Sequence, residues 1–115
     1  NGYVQNGAHA LAIITNDAWW DNTQGHKQHW SYARLRAIET RRAVARSANT
    51  GISGLIDKDG EILKRTAYNE KIAIIFDLPL YKGQTFYVKH GDYIPRISNF
   101  LALFILLFAV TRRRK

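Results

Sequence analysis

Apolar blocks alternate with polar interruptions along this chain, and the spacing inside each block predicts its element. Gly2 to His9 reads as the end of a helix, with Asn6-Gly7 as its stop. Ala10 to Thr15 (A-L-A-I-I-T) is an almost continuous apolar run, the signature of a strand buried on both faces. Asp17 to Gly25 is a polar loop that nevertheless carries two adjacent tryptophans, Trp19 and Trp20. From about Lys27 to Arg41 the positions Trp30, Ala33, Ala37 and Ile38 recur near helical spacing, with no Gly or Pro between them. Ala43 to Ala48 predicts a second strand, closed by Asn49-Thr50-Gly51. Ile52 to Ile56 and Glu61 to Thr66 flank Asp57-Lys58-Asp59-Gly60 and predict a β-hairpin. Lys71 to Asp77 predicts a further strand, ended by Pro79. Strand, helix, strand and hairpin together predict an α/β domain with a mixed sheet.

The last block is different. Ile97 to Val110 carries no charge, and Leu101 to Val110 is wholly apolar. A membrane span needs about 20 residues, with about 17 as the usual lower limit. Tyr93 through Thr111 supplies 19 positions, Pro95 and Arg96 among them. A short apolar run also fits a buried core helix, but this one is apolar on all sides and ends in Arg112-Arg113-Arg114-Lys115. The expectation is a transmembrane helix with residues 112–115 as a basic cytoplasmic tail.

Composition changes the picture in two places. The 115 residues include neither Met nor Cys, and the chain opens in mid-pattern on Asn1-Gly2-Tyr3, so part of a larger protein is expected. Without Cys there is no disulfide, thiolate metal site or cysteine nucleophile among these residues. The net charge of +8 invites a nucleic-acid reading, yet the C-terminal tetrabasic run supplies four of those charges. The other basic cluster (Arg34, Arg36, Arg41, Arg42 and Arg46) is interleaved with apolar residues and lacks a reading motif, so no nucleic-acid partner is expected.

The chemistry-bearing residues concentrate after the first strand. A strand end that delivers Asn16, Asp17, Trp19 and Trp20 into an irregular loop is where α/β proteins build sites. The competing reading is a loop that folds back with one Trp in the core. His26 and His29, with Asp17 and Asp21, are weak evidence for a metal, because no ligand motif frames them. No cofactor is expected. Gly51-Ile52-Ser53-Gly54 is not a nucleophile elbow, and Ser53 fits a strand start. Asp57 to Gly60 lacks the Glu that a calcium loop would place downstream. Glu39 can reach Arg36 as a surface pair on the helix, or the helix can be tied by a buried Arg–Glu link toward Arg46.

The run I-I-T-N-D-A-W-W, then Q-H, then A-R-L-R-A-I-E-T-R-R-A-V-A-R-S-A-N-T-G-I-S resembles the apolipoprotein N-acyltransferase family, the membrane branch of the nitrilase, or carbon–nitrogen hydrolase, superfamily. The resemblance spans roughly Gly2 to Asp92 and is strongest from Ile13 to Ser53. It implies a partial nitrilase-like α-β-β-α sandwich over residues 1–92. A transmembrane helix follows over 93–111, with the sandwich domain on the periplasmic side of a bacterial inner membrane and residues 112–115 in the cytoplasm. It also implies a two-step transfer: a cysteine thiolate takes an acyl chain from a phospholipid, and the thioester passes it to the α-amino group of a diacylated apolipoprotein. The family's Glu base, Lys oxyanion stabiliser and Cys nucleophile all precede the Asn-Asp-Ala-Trp loop. None of them is in this chain, so the 115 residues alone are expected to be inactive. The substrate-binding residues implied are Asn16, Asp17, Trp19 and Trp20, with His29 at the start of the helix. Asp21 stands where the family tends to have Gly, a residue that would suit a positive φ. A soluble-type nitrilase or amidase fragment and a non-catalytic membrane-tethered binding module are the alternatives.

Overall fold

A computed structural model describes residues 1–113 of the chain; of the basic tail expected at 112–115, positions 114 and 115 lie outside the described residues. The elements in chain order are α1 (Gly2–Gln5), β1 (Ala10–Thr15), a short 3-10 turn (Ala18–Trp20), α2 (Gln24–Thr40), β2 (Ala43–Ala48), β3 (Gly54–Ile56), β4 (Ile62–Arg65), α3 (Phe86–His90) and α4 (Tyr93–Arg113). The four strands form one sheet in the order β1-β2-β3-β4. β1 and β2 are parallel, from Ala10↔Ala43 to Thr15↔Ala48, so α2 is the crossover between them. The β2–β3 and β3–β4 pairings are antiparallel, the second as the hairpin pattern predicts. A mixed sheet with helices is the architecture expected of a nitrilase-like α/β domain.

Helix α2 begins three residues before the periodicity indicated, because Thr23 caps it by accepting from the Gly25 amide at 3.3 Å. It ends where Arg41 adopts a left-handed conformation at φ 52°. Its buried stripe, Trp30, Ala33 and Ala37, packs on Val44, Ile52 and Ile56, with Leu11 and Ile13 half-covered beside them. Ile38, expected in that stripe, instead covers the hairpin turn. A Cβ built on Gly60 would fall 2.7 Å from Ile38 Cδ1, so Gly60 leaves room for this contact.

Two expectations are corrected. β1 is not buried on both faces: its residues alternate, and Ile14 is 89% exposed. Strand β1 lies at the sheet's edge, and the face opposite α2 is covered toward β2 and β3, where Ala43 and Leu55 are buried. The second correction is Lys71–Asp77, which forms no regular element and joins no ladder among the described residues. Its side chains Ile72, Ile74 and Phe76 instead line a cavity of about 370 Å³ over Ala12, Ile14 and Ala45.

The end of α2 is tied to the rest of the unit by Arg42, which is buried. Its Nε donates to Ala8 O at 2.7 Å, Nη1 to Arg41 O at 3.0 Å and Nη2 to Gly83 O at 2.6 Å. Carbonyls at the helix C-terminus supply partial negative charge to this cation. Helix α3 is then seated on the unit through buried Val88, with Thr85 Oγ1 donating to Glu39 O at 2.6 Å. The final helix, α4, is long and apolar enough to cross a membrane, and no part of Tyr93–Arg112 is buried. Pro95 falls in its first turn, where a missing amide leaves no helical bond unmade.

Candidate functional site

The loop after β1 is built from its own residues outward. Asn16 Oδ1 accepts from the Ala18 amide at 3.1 Å and turns the chain immediately past the strand. The Asp17 amide donates to Thr50 O at 2.8 Å, and the Asn49 amide to Thr15 O at 2.9 Å. Two adjacent strand ends are thereby laced together at the carboxyl edge of the parallel pair. Position 51 must be glycine: its φ is +136°, and an added Cβ would sit 2.6 Å from Asp17 Oδ2.

Asp17 is completely buried and fully engaged. Its Oδ2 accepts from Arg46 Nη2 at 2.6 Å, while Oδ1 accepts from His29 at 2.7 Å and from Thr15 Oγ1 at 3.2 Å. A carboxylate only accepts, so the imidazole donates its Nδ1 proton there. Arg46 also donates Nη1 to His29 O at 2.8 Å. Burial pushes the Arg46 guanidinium below its ordinary value, and the neighbouring Asp17 pulls it back up. Among the described residues, Arg46 Nε and Trp30 Nε1 are buried without an acceptor. Asp17 and His29 are therefore joined by an arginine from β2 that the sequence pattern did not assign to the site. The link depends on the parallel register, which brings Thr15 opposite Ala48.

The two tryptophans are held differently. Trp20 is 41% exposed; its indole lies over Gly25, where a Cβ would come within 2.5 Å, and meets His29 edge-on at a centroid distance of 5.0 Å. Trp19 is 88% exposed. Neither fills the core, so the folded-back alternative is excluded for both. Asp21, which follows them, takes φ 47° and ψ −158°, a conformation ordinarily left to glycine. The loop keeps the backbone shape a Gly would give it.

The remaining candidates separate from this cluster. His26 is buried with Nδ1 3.1 Å from Asp21 O and its ring 4.2 Å from that of Tyr68. No group of three metal-ligating side chains is assembled among the described residues. Arg36 and Glu39 form the surface pair, Nη1 to Oε2 at 2.7 Å, and Arg46 turns to Asp17 instead. Ser53 Oγ accepts from the Ala48 amide at 3.0 Å, next to the start of β3. Beside His29, a cleft of about 380 Å³ runs along α2, lined by Ile13, Tyr32, Ala33, Arg36 and Arg46.

The protein named apolipoprotein N-acyltransferase of Chlorobaculum tepidum is 38% identical over 112 residues, covering 97% of this chain and 21% of that protein. Its namesake in Thermotoga maritima is 38% identical over 101 residues, covering 88% and 20%. Apolipoprotein N-acyltransferase 2 of Treponema denticola is 36% identical over 110 residues, covering 95% and 21%. The chain thus spans about a fifth of the length of these curated relatives. The family model for carbon-nitrogen hydrolase matches residues 3–86, which include the whole sheet, α2 and the Asn16–Trp20 loop. This chain belongs to the carbon–nitrogen hydrolase family.

Proposed function

We propose that these residues are the C-terminal part of an apolipoprotein N-acyltransferase, which moves an acyl chain from a phospholipid to the N-terminal diacylglyceryl-cysteine of a lipoprotein. Residues 1–92 are the back part of the nitrilase-like domain, 93–111 a transmembrane helix and 112–115 its cytoplasmic tail, with the domain on the periplasmic side. The catalytic Glu, Lys and Cys precede residue 1 in the whole protein. The observation that carries the reading is the braced loop at the end of β1. Buried Asp17 fixes the backbone from which Trp19 projects 88% exposed.

Within this reading the roles divide by burial. Asp17 positions, through Arg46 and His29. Asn16 shapes the turn, and Trp20 with His29 forms a wall. Trp19 offers a large apolar ring with a polar N–H, suited to an acyl chain entering from a membrane–water boundary. The fully exposed apolar surface of α4 supports the membrane-bound assignment over a soluble amidase, since a soluble domain would bury one side of such a helix.

The test is acyl transfer from phospholipid to a diacylated lipopeptide. The 115 residues alone are expected to give none, and turnover by them would overturn the mechanism. In a protein extended upstream through the catalytic Cys, Trp19→Ala is expected to slow acylation of that Cys about ten- to hundredfold. Its amount in the membrane should not change. An unaltered rate would remove the loop from the site.

A further inference from the structure

Outside the loop, the most distinctive assembly lies where α3 turns into α4. Helix α3 uses Val88 as its inward side, and Gln5 Nε2 donates to Val88 O at 2.6 Å to hold it against the domain. Phe86 is left 59% exposed, with the His90 ring 4.3 Å from its own. The chain then reverses at Gly91, φ +69°, and Tyr93 at the base of α4 meets Phe86 edge-on at 5.2 Å and 86°. Arg96 Nη1 reaches back to His90 O at 3.5 Å. Exposed Lys89 stands one turn beyond Phe86 on α3. Between Lys82 and Arg96 there are three basic residues, Lys82, Lys89 and Arg96, against one carboxylate, Asp92.

We propose that this α3–α4 junction is a docking surface for anionic phospholipid headgroups, a collar that seats the α/β domain on the bilayer. The proposal rests on the reading of α4 as a membrane span. An aromatic ring with one polar edge partitions to the depth of the headgroups, where Tyr93 would lie at the first turn of the span, with Phe86 of α3 packed edge-on against it. Arg96 is placed to keep its stem along the apolar helix and its guanidinium among phosphates. Lys89 contributes a second cation at the same level. The surplus of positive charge selects an anionic lipid over a zwitterionic one, and each cation near such a surface favours binding about fivefold. Because α3 is locked to the domain by Val88, Gln5 and Thr85, headgroups bound here fix the height of the domain and not merely that of the helix.

The full 115-residue chain in vesicles of phosphatidylcholine, with or without an equal part of phosphatidylglycerol, provides the test. Amide exchange across Phe86–His90 is expected to be about tenfold slower in the anionic vesicles, the benefit of two cations being partly offset by screening. Lys89→Gln with Arg96→Gln should abolish that difference, and Lys89→Arg with Arg96→Lys should keep it. If alkaline carbonate strips the chain from both kinds of vesicle, the membrane reading of α4 falls and this proposal with it. If the chain resists extraction and α3 exchanges at one rate in both vesicles, the collar alone is overturned.

Discussion

On the α2 side of the sheet, Val44 and Ile56 are fully buried, and the buried carboxylate of Asp17 is paired with Arg46. On the opposite side, one residue along the same strands, Ile14 is bare, and its neighbour segment 71–77 forms no ladder among the described residues. Both faces are comparably apolar in sequence, so composition does not distinguish them. The difference is that α2 is the crossover between two paired parallel strands, which binds it to one face by connectivity, whereas nothing ties residues 71–77 to the other face so tightly. The helix enforced by topology covers its face, whereas 71–77, held by apolar contact and by Lys64 Nζ donating to Ile75 O at 2.8 Å, covers the other face in part. The covered face therefore carries the braced loop, because only there can a carboxylate be buried with its arginine.

This contrast can be broken most forcefully at Asp17. Asp17→Asn strands the Arg46 cation in a buried site and should cost about 3–5 kcal/mol of unfolding free energy. Glu39→Gln, which breaks only the surface pair with Arg36, should cost under about 1 kcal/mol. Urea unfolding in detergent micelles, followed by far-ultraviolet circular dichroism, compares the two; equal costs would mean that Asp17 is not the brace. A second pair of variants maps the other face. Leu55→Ala, beneath Leu63 and Phe76, should lose about 2–3 kcal/mol, whereas Ile14→Ala should lie within about 0.5 kcal/mol of the parent. A large loss at Ile14 in the same unfolding experiment would show that its side chain is covered in solution. The smallest effect concerns the loop itself. Asp21→Gly removes a Cβ from a conformation disfavoured for any side chain, and a gain of about 1 kcal/mol is expected after the entropic cost of glycine. A net loss would mean that Asp21 makes a compensating interaction.

Much of the fold was legible because its signals are local. Trp30, Ala33 and Ala37 mark the α2 stripe, and Asp57 to Gly60 marks a turn closed by the Gly60 amide donating to Asp57 O at 2.9 Å. The unforeseen parts depend on partners distant in sequence. Nothing near Asp17 indicates Arg46, which lies 29 residues on and arrives only through the β1–β2 register. The exposure of Ile14 and the missing ladder at 71–77 likewise depend on what lies beside them, not on their own spacing. Helix α3 was missed although its ends are signalled: Thr85 caps it, accepting from the Val88 amide at 3.0 Å, and Gly91 closes it. Those five residues are too few for periodicity to register. In the loop, Asp21 marked the position where backbone shape mattered, and the positive φ is retained there without glycine.

Arg42 has a mechanical consequence. Its guanidinium holds the carbonyls of Ala8, Arg41 and Gly83 at once, so the approach to β1, the end of α2 and the approach to α3 meet at one buried charge. A load applied along α4 reaches the sheet through α3 and this node, and yielding would require stripping a buried cation of its acceptors. Hydrogen bonds of that kind fail together, not one by one. The junction should transmit small displacements of the last helix to the strand from which the tryptophan loop departs, as a stiff strut would and a flexible tether would not.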